Sequence, residues 1–187
     1  MYRFNGFTQK ANHAMNLAIQ CAEEMGHTYV GSEHILLGLL KEGSGVAAAV
    51  LRAVEVDASQ LELLMTQKIG LGIRGALGTE DFTPRTKRIL QIAVMQAARM
   101  GFTYVGTEHL LLAIMHDADC VAARMLITLN INLQKILQDV LNAAGVDAKE
   151  YQEEIQEDGR TRRGAVDQYC TDLTAEAEEG RLDPVVG

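Results

Sequence analysis

Thr28-Tyr29-Val30-Gly31-Ser32-Glu33-His34-Ile35-Leu36-Leu37 returns 75 residues later as Thr103-Tyr104-Val105-Gly106-Thr107-Glu108-His109-Leu110-Leu111-Leu112. The match extends outward from this stretch. Upstream, Phe7-Thr8 recurs as Phe82-Thr83 and Met25-Gly26 as Met100-Gly101, and downstream Val46-Ala47-Ala48 recurs as Val121-Ala122-Ala123. Between 7–38 and 82–113 there are 14 identities in 32 ungapped positions, so the chain is an internal duplication. Each unit has the length of a small bundle, and two copies predict a pseudo-two-fold pair.

Each unit reads as helices. Ala11, Met15, Ala18, Ile19, Ala22 and Met25 follow i, i+3, i+4 spacing. Thr8 fits an N-cap and Gly26 a stop just past the helix. A second helix is predicted from Ser32 to Gly43, a third over about Val46 to Val54, and a fourth from near Asp57 to Ile69. In the second unit the same elements fall at Thr83–Met100, Thr107–His116, Val121–Leu129 and Leu133–Ala144, with Pro84 at a first helical position. No segment alternates with period two. The expected fold class is all-α: two four-helix repeats, about 2–70 and 77–145, eight helices in one domain over 2–145.

Composition agrees with a globular chain: 187 residues, 48% hydrophobic and 22% charged. Residues 1–145 carry twelve Lys and Arg against thirteen Asp and Glu, a balance of −1, and residues 146–187 carry the other −7. A neutral front offers no basic footprint for nucleic acid. No apolar run approaches the roughly 20 residues of a membrane span. Cys21, Cys120 and Cys170 are widely spaced and fit a reducing compartment, which points to the cytoplasm. Residues 146–164 read as an acidic flexible linker. After it, Val166, Tyr169, Cys170, Leu173 and Ala177 mark one short helix within 165–187.

Few motifs point to chemistry. Gly70-Leu71-Gly72-Ile73-Arg74-Gly75 has the letters of a dinucleotide fingerprint, but a helix precedes it, so it reads as a connector. The histidines have no metal-ligand spacing, and His34 and His109 read as ties at helix starts. Methionines lie at core positions. The informative residues are Thr8 with Glu33 and Thr83 with Glu108. Each threonine opens the first helix of its unit, and each glutamate lies in the first turn of the second. They serve either as caps and dipole partners or as a ligand site. Helix-start N–H groups hold a phosphate, and a carboxylate holds a guanidinium. Phosphoarginine carries both groups in one side chain.

The motifs Phe7-Thr8, Gly31-Ser32-Glu33-His34-Ile35-Leu36-Leu37-Gly38-Leu39, Phe82-Thr83-Pro84-Arg85 and Gly106-Thr107-Glu108-His109 resemble the double Clp N-terminal repeat. The likeness is to the ClpC-type Clp/Hsp100 unfoldases and covers about residues 2–145. Asp172-Leu173-Thr174 and Leu182-Asp183-Pro184-Val185-Val186-Gly187 resemble the entry to the family's first AAA+ ATPase module. The resemblance implies a binding module without catalytic residues, metal or cofactor of its own. ATP and magnesium would serve only a full-length parent, a hexamer, whereas the isolated domain would be a monomer. It implies docking of MecA-type adaptors and phosphoarginine-marked substrates, with delivery to the ClpP protease. The phosphoarginine role carries over onto Thr8, Glu33, Thr83 and Glu108. A patch used by cyclic-peptide antibiotics in some relatives matches Phe82 and Lys87. Two positions depart from the family: Gln9-Lys10 follows Thr8 where an acidic residue is usual, and Ser32 replaces a threonine. The alternative is a stand-alone structural or regulatory protein with the same repeats and no ATPase.

Overall fold

A computed structural model describes residues 1–145. The predicted linker over 146–164 and the short helix beyond it lie outside the described residues. Within them the chain is all-helical. The first repeat holds α1 (Gln9–Glu24), α2 (Ser32–Glu42), α3 (Val46–Ala53) and α4 (Ala58–Lys68). The second holds α5 (Pro84–Arg99), α6 (Thr107–His116), α7 (Val121–Thr128) and α8 (Leu133–Ala144), preceded by a 3-10 turn at Thr79–Asp81.

Local chemistry sets the helix ends as the sequence predicts. Thr8 Oγ1 accepts the Ala11 N–H at 3.1 Å and Thr83 Oγ1 the Thr86 N–H at 3.0 Å. Pro84 occupies the first helical position of α5. Gly26 lies past α1 at φ +74°, a conformation that costs a glycine little.

α1 and α2 form an antiparallel hairpin. Lys10, at the start of α1, donates from Nζ to the Ser44 carbonyl past the end of α2, at 3.2 Å. α5 and α6 repeat this, with Arg85 at one end bonded to Asp117 at the other, 2.7 Å apart. The two hairpins do not form separate bundles. Every residue of α2 from Ser32 to Leu40 is buried, and α6 is nearly as enclosed. α2 packs against α6 and α7 of the second repeat, and α6 packs against α3 of the first. One apolar cluster runs from Phe4 to Leu141. The duplicated units therefore share a single core, because each central helix is too apolar to leave a face in water.

Candidate functional site

Two short backbone pairings join the repeats, and they define the site. The Thr8 N–H donates to Val105 O at 2.9 Å, and the Val105 N–H to Gly6 O at 2.8 Å. By the same pattern the Thr83 N–H donates to Val30 O at 3.2 Å, and the Val30 N–H to Asp81 O at 2.9 Å. Val105 immediately precedes Gly106, the N-cap of α6, and Val30 precedes Gly31, the N-cap of α2. The start of α1 thus meets the start of α6, and the start of α5 meets the start of α2.

This exchanges the partners read from the sequence. Within each repeat the hairpin is antiparallel, so Thr8 and Glu33 lie at opposite ends of it, as do Thr83 and Glu108. The structure brings Thr8 to the helix start that carries Glu108, and Thr83 to the one that carries Glu33. The four residues fall into two groups across the pseudo-two-fold, two candidate sites each built by both repeats. Period and spacing describe one repeat at a time and hold no signal for this.

Each site joins two helix N-termini, whose dipoles favour an anion; part of each first turn is already bonded, since Thr8 and Thr83 cap the Ala11 and Thr86 N–H groups, the His34 and His109 N–H groups donate to Gly31 O and Gly106 O, and Pro84 has no N–H. Each also holds one carboxylate. Thr8, Thr83 and Glu108 are half-buried. Glu33 is only 2% exposed and accepts a hydrogen bond from Tyr29 Oη at 3.0 Å. Burial pushes the Glu33 carboxyl above its ordinary range, against the pull of its own N–H and of Tyr29. The Tyr29 phenol is also pushed up, by burial and then by the Glu33 carboxylate beside it.

The two histidines tie the helix starts. His34 Nδ1 accepts the Gly31 N–H at 2.9 Å, and His109 Nδ1 accepts the Gly106 N–H at the same distance. That fixes the tautomer: Nε2 carries the proton. His34 Nε2–H then donates to His27 Nδ1 at 2.7 Å, and His27 Nε2–H to Gly70 O at 2.9 Å. Burial and then His27 push the His34 imidazole down to about 3, so it stays neutral near pH 7. In the second repeat Phe102 replaces His27. Its ring packs edge-on at 4.7 Å from His109, whose Nε2 is buried with no hydrogen-bond partner.

Ser32 and Thr107 act across the repeats too. The Ser32 hydroxyl accepts the Ala122 N–H of α7 at 3.1 Å, and Thr107 Oγ1 accepts the Ala47 N–H of α3 at 3.3 Å. Gly70–Gly75 is a connector: the Gly72 N–H donates to Met25 O at 2.9 Å and the backbone packs on Gly26. Phe82 is buried, stacked on Phe4 at 6.1 Å, and Lys87 is half-buried on α5. Among the described residues there is no cluster of metal-ligating side chains, and no single helix is long and apolar enough to cross a membrane.

The same architecture is found in known proteins. The chain is 39% identical to an "ATP-dependent Clp protease ATP-binding subunit ClpA homolog" of Guillardia theta, over 98% of this chain and 22% of that one. It is 38% identical to a chloroplastic "Chaperone protein ClpC" of Pisum sativum, over 98% of this chain and 20% of that one. It therefore spans about a fifth of the length of these relatives. In fold it is similar to a ClpV N-domain solved in complex with a VipB peptide, with a TM-score of 0.55 at 19% identity, over 72% of this chain and 88% of that one. The model of the Clp repeat N-terminal domain matches residues 6–129. Duplicated motif, shared core and sequence match agree, and the chain belongs to the Clp repeat N-terminal domain family.

Proposed function

We propose that this chain is the substrate- and adaptor-docking domain of a ClpC-like, ATP-dependent unfoldase that feeds the ClpP protease, and that its paired helix starts receive phosphoarginine. One observation carries the ligand reading. Each site sets a carboxylate beside two adjoining helix starts, a charge of the sign a guanidinium needs next to a dipole of the sign a phosphate needs. Docking of MecA-type adaptors belongs to the same reading, supported by kinship with proteins of the ClpA and ClpC kinds. The ClpV relative held a peptide on this fold, which supports docking of polypeptide segments. The edge of Phe82 with Lys87 is proposed as the patch open to cyclic-peptide antibiotics. Cys21 and Cys120, free and buried, fit the cytoplasmic placement we propose.

Calorimetry tests the ligand reading. Phosphoarginine should bind the wild-type domain, arginine and inorganic phosphate should bind far more weakly, and Glu33→Ala/Glu108→Ala should abolish the heat of binding. Equal binding by the double variant overturns the reading.

A further inference from the structure

The two sites are related by the repeat but are not in the same state. At the Glu33 site the carboxylate is 2% exposed, and one of its oxygens already holds the Tyr29 hydroxyl at 3.0 Å. Tyr29 is braced. Its ring stacks on His27 with centroids 5.7 Å apart and planes 6° from parallel. His27 is in turn held between His34 Nε2 and the Gly70 carbonyl of the connector. At the Glu108 site none of the brace is present. Tyr104, the counterpart of Tyr29, is 58% exposed, Phe102 stands in place of His27, and Glu108 is half-open to solvent.

We propose that Tyr29 is a latch on the first-repeat carboxylate: its hydroxyl occupies the Glu33 oxygen that an incoming guanidinium would need. The Glu108 site then fills first, and the Glu33 site fills only when Tyr29 turns away. This rests on the phosphoarginine reading above and adds an order of filling to it. The latch is an internal competitor. A hydrogen bond to an ionised group is strong enough to cost a ligand that must displace it about tenfold in affinity. The connector that braces His27 links this latch to the junction between the repeats.

Amide NMR titration with phosphoarginine separates the two sites. In the wild type, the Thr8 and Glu108 signals should reach half-saturation at about tenfold lower ligand than those of Thr83 and Glu33. Tyr29→Phe should close that gap by tightening the Glu33 site alone, and Tyr104→Phe should change neither site. His27→Phe, which copies the second repeat, should narrow the gap in the same direction. That arrangement already folds in this molecule around Phe102 and His109. Simultaneous filling in the wild type, or weaker binding at Glu33 in Tyr29→Phe, overturns the latch while the phosphoarginine reading stands. Absence of shifts at both sites in every variant overturns both.

Discussion

At the scale of single residues, the repeats differ by compensated substitutions. Gly45 caps α3 and its counterpart Cys120 caps α7. A Cβ at Gly45 would run into the Thr107 hydroxyl and lie 2.9 Å from its methyl. In the other copy the facing residue is Ser32, which lacks that methyl, and Cys120 fits. The departure at Ser32 is therefore one half of a size exchange across the two-fold. Gly45→Ala should destabilise the domain by about 1–3 kcal/mol through overpacking, and Thr107→Ser should restore much of the loss. A double-mutant cycle in urea checks this, and purely additive effects would contradict it.

His34 supplies a second test at this scale. Its imidazole is held at about 3, below the ordinary 6.5, by burial and then by His27. The Tyr29 ring packs edge-on against it, and Tyr29 in turn holds Glu33. The unfolded chain takes up a proton below about pH 6.5 that the folded chain refuses until about pH 3. Stability contributed by neutral His34 is therefore present above pH 6.5 and is lost as the pH falls through that window. The loss is about 1.4 kcal/mol per pH unit at its steepest. Acid unfolding of His34→Asn should show a shallower dependence between pH 6.5 and 3, and an unchanged slope would contradict the assignment.

At the scale of elements, much was legible and some was not. Helix bodies and caps are local, so Thr8, Pro84, Gly26 and the apolar stripes predict their elements within a residue or two. The 3-10 turn at Thr79–Asp81 escaped, since three residues carry no period. Partners of Thr8, Thr83, Ser32 and Thr107 escaped for another reason. Their hydrogen bonds reach across the two-fold to residues 53 to 97 positions away, and periodicity is blind to that distance. The role of Tyr29 is not legible in the sequence, because both repeats carry the same Thr-Tyr-Val-Gly motif and only the folded structure sets Tyr29 against Glu33 and leaves Tyr104 exposed. The hairpins also differ in closeness. A Cβ at Gly38 would run into the Ala14 carbonyl and lie 2.9 Å from the Ala18 nitrogen, so α1 and α2 cross tightly, whereas α5 and α6 accommodate Ala113. Gly38→Ala should cost about 1–3 kcal/mol despite the better helix propensity of alanine. A stabilised variant in thermal melts would show that the crossing is looser than described.

At the scale of the whole molecule, duplication gave one cooperative body in place of two. α2 and α6 each pack on helices of both repeats, so a single repeat leaves part of its most buried helix exposed. A fragment of residues 1–75 should lack a cooperative transition in urea, while the intact domain unfolds in one step. The same interlocking makes the proposed ligand sites joint products of both repeats, which is why neither can be read from one repeat alone.

That joint construction is tested most directly by residue-resolved phosphoarginine titration of the single variants Glu33→Ala and Glu108→Ala. Glu108→Ala should remove the ligand-induced shift at Thr8 and leave the one at Thr83, and Glu33→Ala should do the reverse. Loss of the Thr83 shift in Glu108→Ala, with Thr8 unaffected, would mean that the sites lie within the repeats and would contradict the assignment across the two-fold.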